Sequence, residues 1–229
     1  MNEEKNTEEL SLFLKSQGFF LFGVGYIKDI LENSPCLNLE LTRDLVYGIS
    51  IAVPLSSIII EEIKDHPTRT YLFHYKRVNI LLDNIAIKTA SWIQDKGYKA
   101  FPVPASFIVD WENQYAHISH KMVAYKAGLG WIGRNNLLIN EKFGARIRLV
   151  SILTNMPFIT AKPIKKDCKN CKACIEVCPA GAIGENYKDF NRLACFEKLK
   201  FFAKKYSLGS HYICGICVKA CKGNLTSSK

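Results

Sequence analysis

The sequence predicts an α+β chain: a mixed helix-and-strand domain over residues 1–160, then a small cysteine-rich domain over residues 161–229. Three observations carry this. Apolar residues alternate between helical and extended spacing through the first two thirds of the chain. Eight of the nine cysteines fall after position 167. Between the two patterns, Pro157 to Pro163 marks a hinge.

Along the first domain, Asn6-Thr7-Glu8-Glu9 has the spacing of a helix N-cap with a reciprocal Glu. Leu10, Phe13 and Leu14 supply the apolar face of that helix, which ends near Gly18. Phe19 to Ile27, rich in aromatic and β-branched residues, predicts a strand. Val46 to Val53 is nearly all apolar and predicts a strand buried on both faces. The longest helix is expected from about Thr68 to Lys96. Leu72, Tyr75, Leu82, Ile85, Thr89, Trp92 and Ile93 fall near helical spacing there, and Gly97 stands where a C-cap glycine belongs. Tyr98 to Val103 predicts another strand, closed by Pro102 and Pro104. A helix over Ser119 to Ala127 precedes a glycine-rich loop, and Leu137 to Ile139 and Ala145 to Leu153 predict the last strands.

Bulk composition narrows the function classes. With 229 residues and 48% hydrophobic content, the chain can bury one sizeable core and a small second domain. The apolar stretch from Val46 to Ile60 is interrupted by Pro54, Ser56 and Ser57, so no membrane span is expected. Met1 to Leu10 is acidic and lacks a signal-peptide pattern, which predicts a cytoplasmic protein. The net charge of +10 is uneven: residues 162–229 hold 14 Lys+Arg against 5 Asp+Glu, and the rest hold 17 against 16. A basic tail suits nucleic acid or an acidic partner protein. It also suits counter-charge for bound metal clusters, since Lys165, Lys166, Lys169, Lys172, Lys219 and Lys222 lie among the cysteines.

The cysteine spacing identifies those clusters. Cys168-x2-Cys171-x2-Cys174-x3-Cys178-Pro179 is the ferredoxin run, in which three thiolates hold one [4Fe–4S] cube and the fourth reaches the other. A second group, Cys214-x2-Cys217-x3-Cys221, is preceded by the lone Cys195. Two cubes need eight thiolates. Reciprocal exchange assigns Cys168, Cys171, Cys174 and Cys221 to the first and Cys178, Cys195, Cys214 and Cys217 to the second. Zinc is the main competitor, but tetrahedral zinc sites use two short pairs set well apart. Disulfides fit a secreted scaffold, which this chain does not resemble. Cys36 reads as a small buried or incidental residue.

Gly128-x-Gly130-x-x-Gly133 matches the dinucleotide fingerprint as a string, in the wrong context. That fingerprint follows a strand and opens a helix, with an acid about twenty positions on. Here a predicted helix precedes it, a strand follows, and no acid lies between Glu141 and Asp167. The loop instead lets backbone approach a flat or bulky group closely.

The string Ala127-Gly-Leu-Gly-Trp-Ile-Gly-Arg-Asn135, the strand pair after it and the two unequal cysteine groups resemble the epoxyqueuosine reductase family. Its relatives include the corrinoid-dependent reductive dehalogenases. The likeness covers about Val46 to Asn224. It implies a nitroreductase-like, cobalamin-binding-type α/β domain followed by a two-cluster ferredoxin-like domain. A base-off cobalamin would sit at Gly128, Gly130, Trp131, Gly133, Arg134 and Asn135, with Arg134 where the family usually has Lys. Electrons would pass through the clusters to cobalt, and cob(I)alamin would reduce the substrate. The family's acidic proton donor corresponds to Asp110, and a tyrosine in a Tyr-His-Lys-like stretch corresponds to Tyr75 of His74-Tyr75-Lys76.

Each residue also has a plainer reading. Asp110 is a general acid or a structural cap, and Tyr75 is a site residue or helix core. His117 and His120, at i,i+3 spacing, are metal ligands or a proton relay on a shared helical face, or ordinary surface or packed histidines. Arg134 and Asn135 bind a corrinoid or brace their own loop. Three functions compete: an iron–sulfur reductase working at the loop, an electron-transfer activator of a partner's corrinoid, and a tRNA epoxyqueuosine reductase. Each implies a redox partner of ferredoxin or flavodoxin type, and the substrate is a small molecule or tRNA.

Overall fold

The computed structural model describes residues 2–224. In chain order its elements are α1 (Asn2–Ser16), β1 (Phe22–Tyr26), α2 (Lys28–Glu32), α3 (Leu39–Thr42), β2 (Tyr47–Pro54), α4 (Ser57–Glu61), α5 (Arg69–Gln94) and β3 (Ala100–Val103). Then come α6 (His120–Lys126), β4 (Trp131–Ile132), β5 (Leu138–Ile139), β6 (Ile147–Thr154), α7 (Ala173–Glu176), a 3-10 turn at Tyr187–Asp189, α8 (Arg192–Lys205) and α9 (Ile216–Ala220). Helix and sheet are mixed, as predicted.

The chain divides into two compact units. One gathers Met1–Val53, Asn79–Gly130 and Arg148–Ile164; the other gathers Pro54–Val78, Trp131–Ile147 and Lys165–Lys229. This differs from the expected division at residue 160. The long tail does begin its own unit near that point, but two earlier segments fold with it. Contacts far apart in sequence cause this, among them the ion pair between Glu61 and Arg146.

In the first unit a four-stranded sheet has the order β1-β2-β6-β3. β1 runs antiparallel to β2, with Val24 opposite Ile49, and β3 runs antiparallel to β6, with Phe101 opposite Leu153. The central strands carry the apolar runs seen in the sequence, and Ile49, Ile51, Val150, Ile152 and Leu153 are wholly buried. Ile27, Leu31, Leu45, Val103, Ile118 and Val123 form a core cluster with Leu153. β1 lies close beneath α6: a Cβ added at Gly25 would stand 2.5 Å from the Lys126 carbonyl carbon. Only glycine permits that approach.

The first helix begins earlier than its expected cap. Asn6 sits inside α1, buried, and its side-chain amide donates to the Pro157 carbonyl at 2.9 Å. Glu3 and Glu4 occupy the first turn instead, where acidic side chains favour the helix dipole.

Candidate iron–sulfur centre and its neighbouring loop

All eight clustered cysteines lie in the second unit, on short elements. Cys168 and Cys171 form a turn in which the Cys171 amide donates to the Cys168 carbonyl at 2.9 Å. Cys174 lies on α7, and Cys178 follows that helix. Cys195 is carried by α8, whose N-cap Asn191 accepts from the Ala194 amide at 2.9 Å. Gly215 starts α9 in the left-handed region (φ 84°), and α9 carries Cys217. A side chain at Gly215 would collide with Ile63 and Tyr71, each 2.7 Å from its Cβ position.

The thiols stand in two sets. Burial pushes Cys221 up to about 11, and Cys168, Cys174 and Cys171 are its thiol neighbours. Cys174 is raised by burial, then by Cys168 and Cys171. In the other set, burial followed by Cys178 lifts Cys195 to about 11. Burial lifts Cys214 to about 11 as well, with Cys195 and Cys178 adding to it. Cys217 is raised by burial, then by Cys214, Cys195 and Cys178, and more weakly by Cys174. α7, which carries Cys174, packs against α9, which carries Cys217.

Thiols raised in this way hold their protons at neutral pH, so a metal must displace them on binding. One tetrahedral ion draws its thiolates to about 2.3 Å from a single point. A cube instead takes its four thiolates one to each iron. The donor set is all sulfur, and the Ala182 amide points at Cys178 Sγ from 3.4 Å, the kind of bond that tunes a cluster's potential.

Basic groups surround the thiols. Arg146, only 4% exposed at its side chain, meets Glu61 at 2.7 Å and donates to the Lys219 carbonyl. Lys219 and Lys222 converge on the same carboxylate, and the Arg146 guanidinium holds Glu61 below the usual carboxylate range. Sequence reasoning missed this hub. Its members are spread from position 61 to 222, and no local spacing announces them.

Arg134 proves to be a brace. Its Nε donates to the Glu185 carbonyl (2.8 Å), Nη1 to the Cys171 carbonyl (2.7 Å) and Nη2 to the Lys169 carbonyl (2.7 Å). Lys169 is held at φ 45°, a backbone region that normally favours glycine. Arg134 thus ties the glycine loop to the first cysteine turn, and its three donor nitrogens are committed there.

The rest of the loop is divided. Gly128 (φ 72°) and Gly130 belong to the first unit, and Trp131 to Asn135 belong to the second. Trp131 pairs with Ile139 in the β4–β5 ribbon. At Gly133 a Cβ would stand 2.5 Å from the Ile139 side chain. Two buried donors, Trp131 Nε1 and Asn135 Nδ2, have no hydrogen-bond partner. Leaving such groups unpaired in an interior costs about 1–3 kcal/mol each, so they mark a place for an acceptor.

Asp110 lies in the first unit, where its carboxylate accepts from the Asn113 amide and from Asn113 Nδ2, both at 2.9 Å. It forms an isolated bridge with Tyr115. Tyr75 lies in the second unit on α5, half-buried and edge-on to Tyr71 with ring centroids 6.3 Å apart. Its neighbour His74 accepts from the Ser56 amide at 2.9 Å, and burial lowers its pKa. The histidine pair does not share a helical face. His117 precedes α6 and stacks on Phe107, while His120 bonds Ser151 Oγ and the Pro104 carbonyl, each at 2.9 Å.

Comparison with known proteins agrees with this site. The family described as 4Fe-4S binding domain matches residues 161–184. The epoxyqueuosine reductase of Bacillus cereus is 34% identical over 113 residues, covering 47% of this chain and 30% of that protein. The Escherichia coli epoxyqueuosine reductase is 39% identical over 72 residues, covering 31% and 19%. Among solved structures, the catabolic reductive dehalogenase NpRdhA superposes with a TM-score of 0.74 at 18% identity, over 96% of this chain and 32% of that one. An epoxyqueuosine reductase bound to a tRNA-Tyr stem loop gives 0.57 at 21% identity, over 93% and 64%. At these identities the structures speak for the fold.

The ferredoxin-type run and the family match define an iron–sulfur protein that binds [4Fe–4S]. Within that class, the chain is similar to the epoxyqueuosine reductases over part of its length, and the matched part spans about a third or less of those curated proteins. No helix among the described residues is long and apolar enough to cross a membrane.

Proposed function

We propose that this chain is an iron–sulfur reductase that passes low-potential electrons through two [4Fe–4S] clusters to a corrinoid or substrate at the Gly128–Asn135 loop. The observation that carries the reading is the Arg134 brace. One guanidinium joins the loop to the Lys169 and Cys171 carbonyls, so the loop abuts the first set of thiols. Cys168, Cys171, Cys174 and Cys221 would hold one cube, and Cys178, Cys195, Cys214 and Cys217 the other.

Trp131 Nε1 and Asn135 Nδ2 suit an acceptor-rich group such as a corrinoid, whose rim carries amide carbonyls. Bound there, a corrinoid supplies a redox-active cobalt. The chain's part is to orient it with those two donors, keep the cluster turn fixed through Arg134, and neutralise charge with the surrounding lysines. Asp110, its carboxylate oriented by two hydrogen bonds from Asn113, is the proposed proton source. A tRNA substrate is the second reading, favoured by the names of the relatives and by the basic tail.

Adding cob(II)alamin to the cluster-loaded protein tests the corrinoid arm. A base-off cobalt spectrum, lost in Asn135→Leu, is expected. An unchanged spectrum in the wild-type protein sinks that arm and leaves a direct substrate at the loop.

A further inference from the structure

We propose that the outer face of α8 docks a small acidic electron-carrier protein and is where electrons come in. This deepens the reading above and rests on it. α8 carries Cys195, a thiol of the second set, so its residues stand next to that cluster's place. The loop lies at the other end of the relay: Arg134 binds carbonyls of the first set, and α7, which carries Cys174, packs against α9, which carries Cys217. Electrons bound for the loop therefore come in at the second set.

The face itself has the chemistry of a docking surface. Arg192, Lys200, Lys204 and Lys205 are exposed along it, against a single acid, Glu197, which pairs with Lys200 at 2.5 Å. Two large apolar side chains stand among these cations, Leu193 at 58% and Phe201 at 50% exposure. Lys198 and Lys205 lie over the Phe201 ring, 5.2 and 5.5 Å from its centroid. At the start of the helix a cavity of about 450 Å³ opens, lined by Tyr187, Lys188, Asn191, Arg192 and Leu193 among others. Basic groups around an exposed aromatic steer and seat an acidic protein, and charge complementarity of this kind acts mainly on the rate of encounter. At each encounter one electron leaves the carrier and reduces one cluster by one; no bond forms and no proton moves.

The test compares wild-type protein with the charge-reversed variant Lys200→Glu/Lys204→Glu/Lys205→Glu and with the milder Lys200→Gln/Lys204→Gln/Lys205→Gln, each first assayed for iron. Binding of an oxidised acidic ferredoxin is measured by calorimetry, with no electron moving. Cluster reduction is then followed by stopped flow, with the reduced ferredoxin or with reduced methyl viologen as donor. Affinity and ferredoxin-driven rate should fall about tenfold or more in the Glu variant and less in the Gln variant, with a weaker salt dependence. The viologen rate should stay within about twofold. A ferredoxin rate unchanged in both iron-loaded variants overturns the proposal alone. Loss of tRNA binding with the ferredoxin rate intact also overturns it, and makes the face a nucleic-acid surface. Wild-type protein without two cubes overturns it together with the reading beneath it.

Discussion

At the scale of single residues, Arg134 does more than its place in a glycine-rich string suggests. Three planar donors meet three carbonyls, a geometry lysine cannot reproduce with one ammonium. Arg134→Lys keeps the charge and loses the fork. Hydrogen bonds to charged groups contribute about 1.5–3 kcal/mol. The variant should surrender iron to a chelator several-fold faster than wild type, and equal release rates would deny the brace its role. His120 makes a prediction in pH. It is half-buried and neutral, with desolvation holding its pKa down to about 4 against an ordinary 6.5. Because the folded value lies below the unfolded one, its contribution is complete above about pH 6.5 and is lost as pH falls toward 4. The loss amounts to at most about 1.4 kcal/mol per pH unit. Urea midpoints should drop across that window, and less steeply in His120→Gln; parallel slopes would contradict this.

At the scale of elements, the sequence was legible where one face or two dictate apolar spacing. β2, β6 and α5 fall within a residue or two of their expected bounds, the strands because they are nearly continuous buried apolar runs and the helix because its apolar positions repeat near 3.6 residues. α8 was not anticipated. Phe196, Leu199 and Phe202 fall at helical spacing, but Glu197, Lys198 and Lys200 between them obscure the apolar face. α7 and α9 are too short for periodicity to show. The N-cap expected at Asn6 lies inside α1, because its side chain is engaged with Pro157, far away in sequence. Gly25 offers an element-scale test. Gly25→Ala drives a methyl into the backbone of α6 and should cost about 1–3 kcal/mol, the range for overpacking. Chemical denaturation measures it, and a loss below about 0.5 kcal/mol, within the range of an ordinary surface change, would show that β1 and α6 have slack.

For the whole molecule, the cysteine frame was plain from spacing alone, and the way the chain builds around it was not. The tail shares its unit with residues 54–78 and 131–147, which bring Glu61, Arg134 and Arg146 to it. Part of the +9 balance of the tail (14 basic against 5 acidic) is committed there, with Lys219 and Lys222 held at Glu61 and Lys172 at Glu185. Arg192, Lys200, Lys204 and Lys205 are exposed on α8, so part of the charge that reads as nucleic-acid affinity in the sequence is available to a protein partner in the proposal above. Everything proposed for electron flow depends on two cubes in one unit. The decisive measurement is iron and acid-labile sulfide on anaerobically purified protein, with paramagnetic resonance of the reduced form. About eight iron and eight sulfide per chain, with two interacting reduced clusters, is the expected result. Four iron, or zinc in its place, would contradict it.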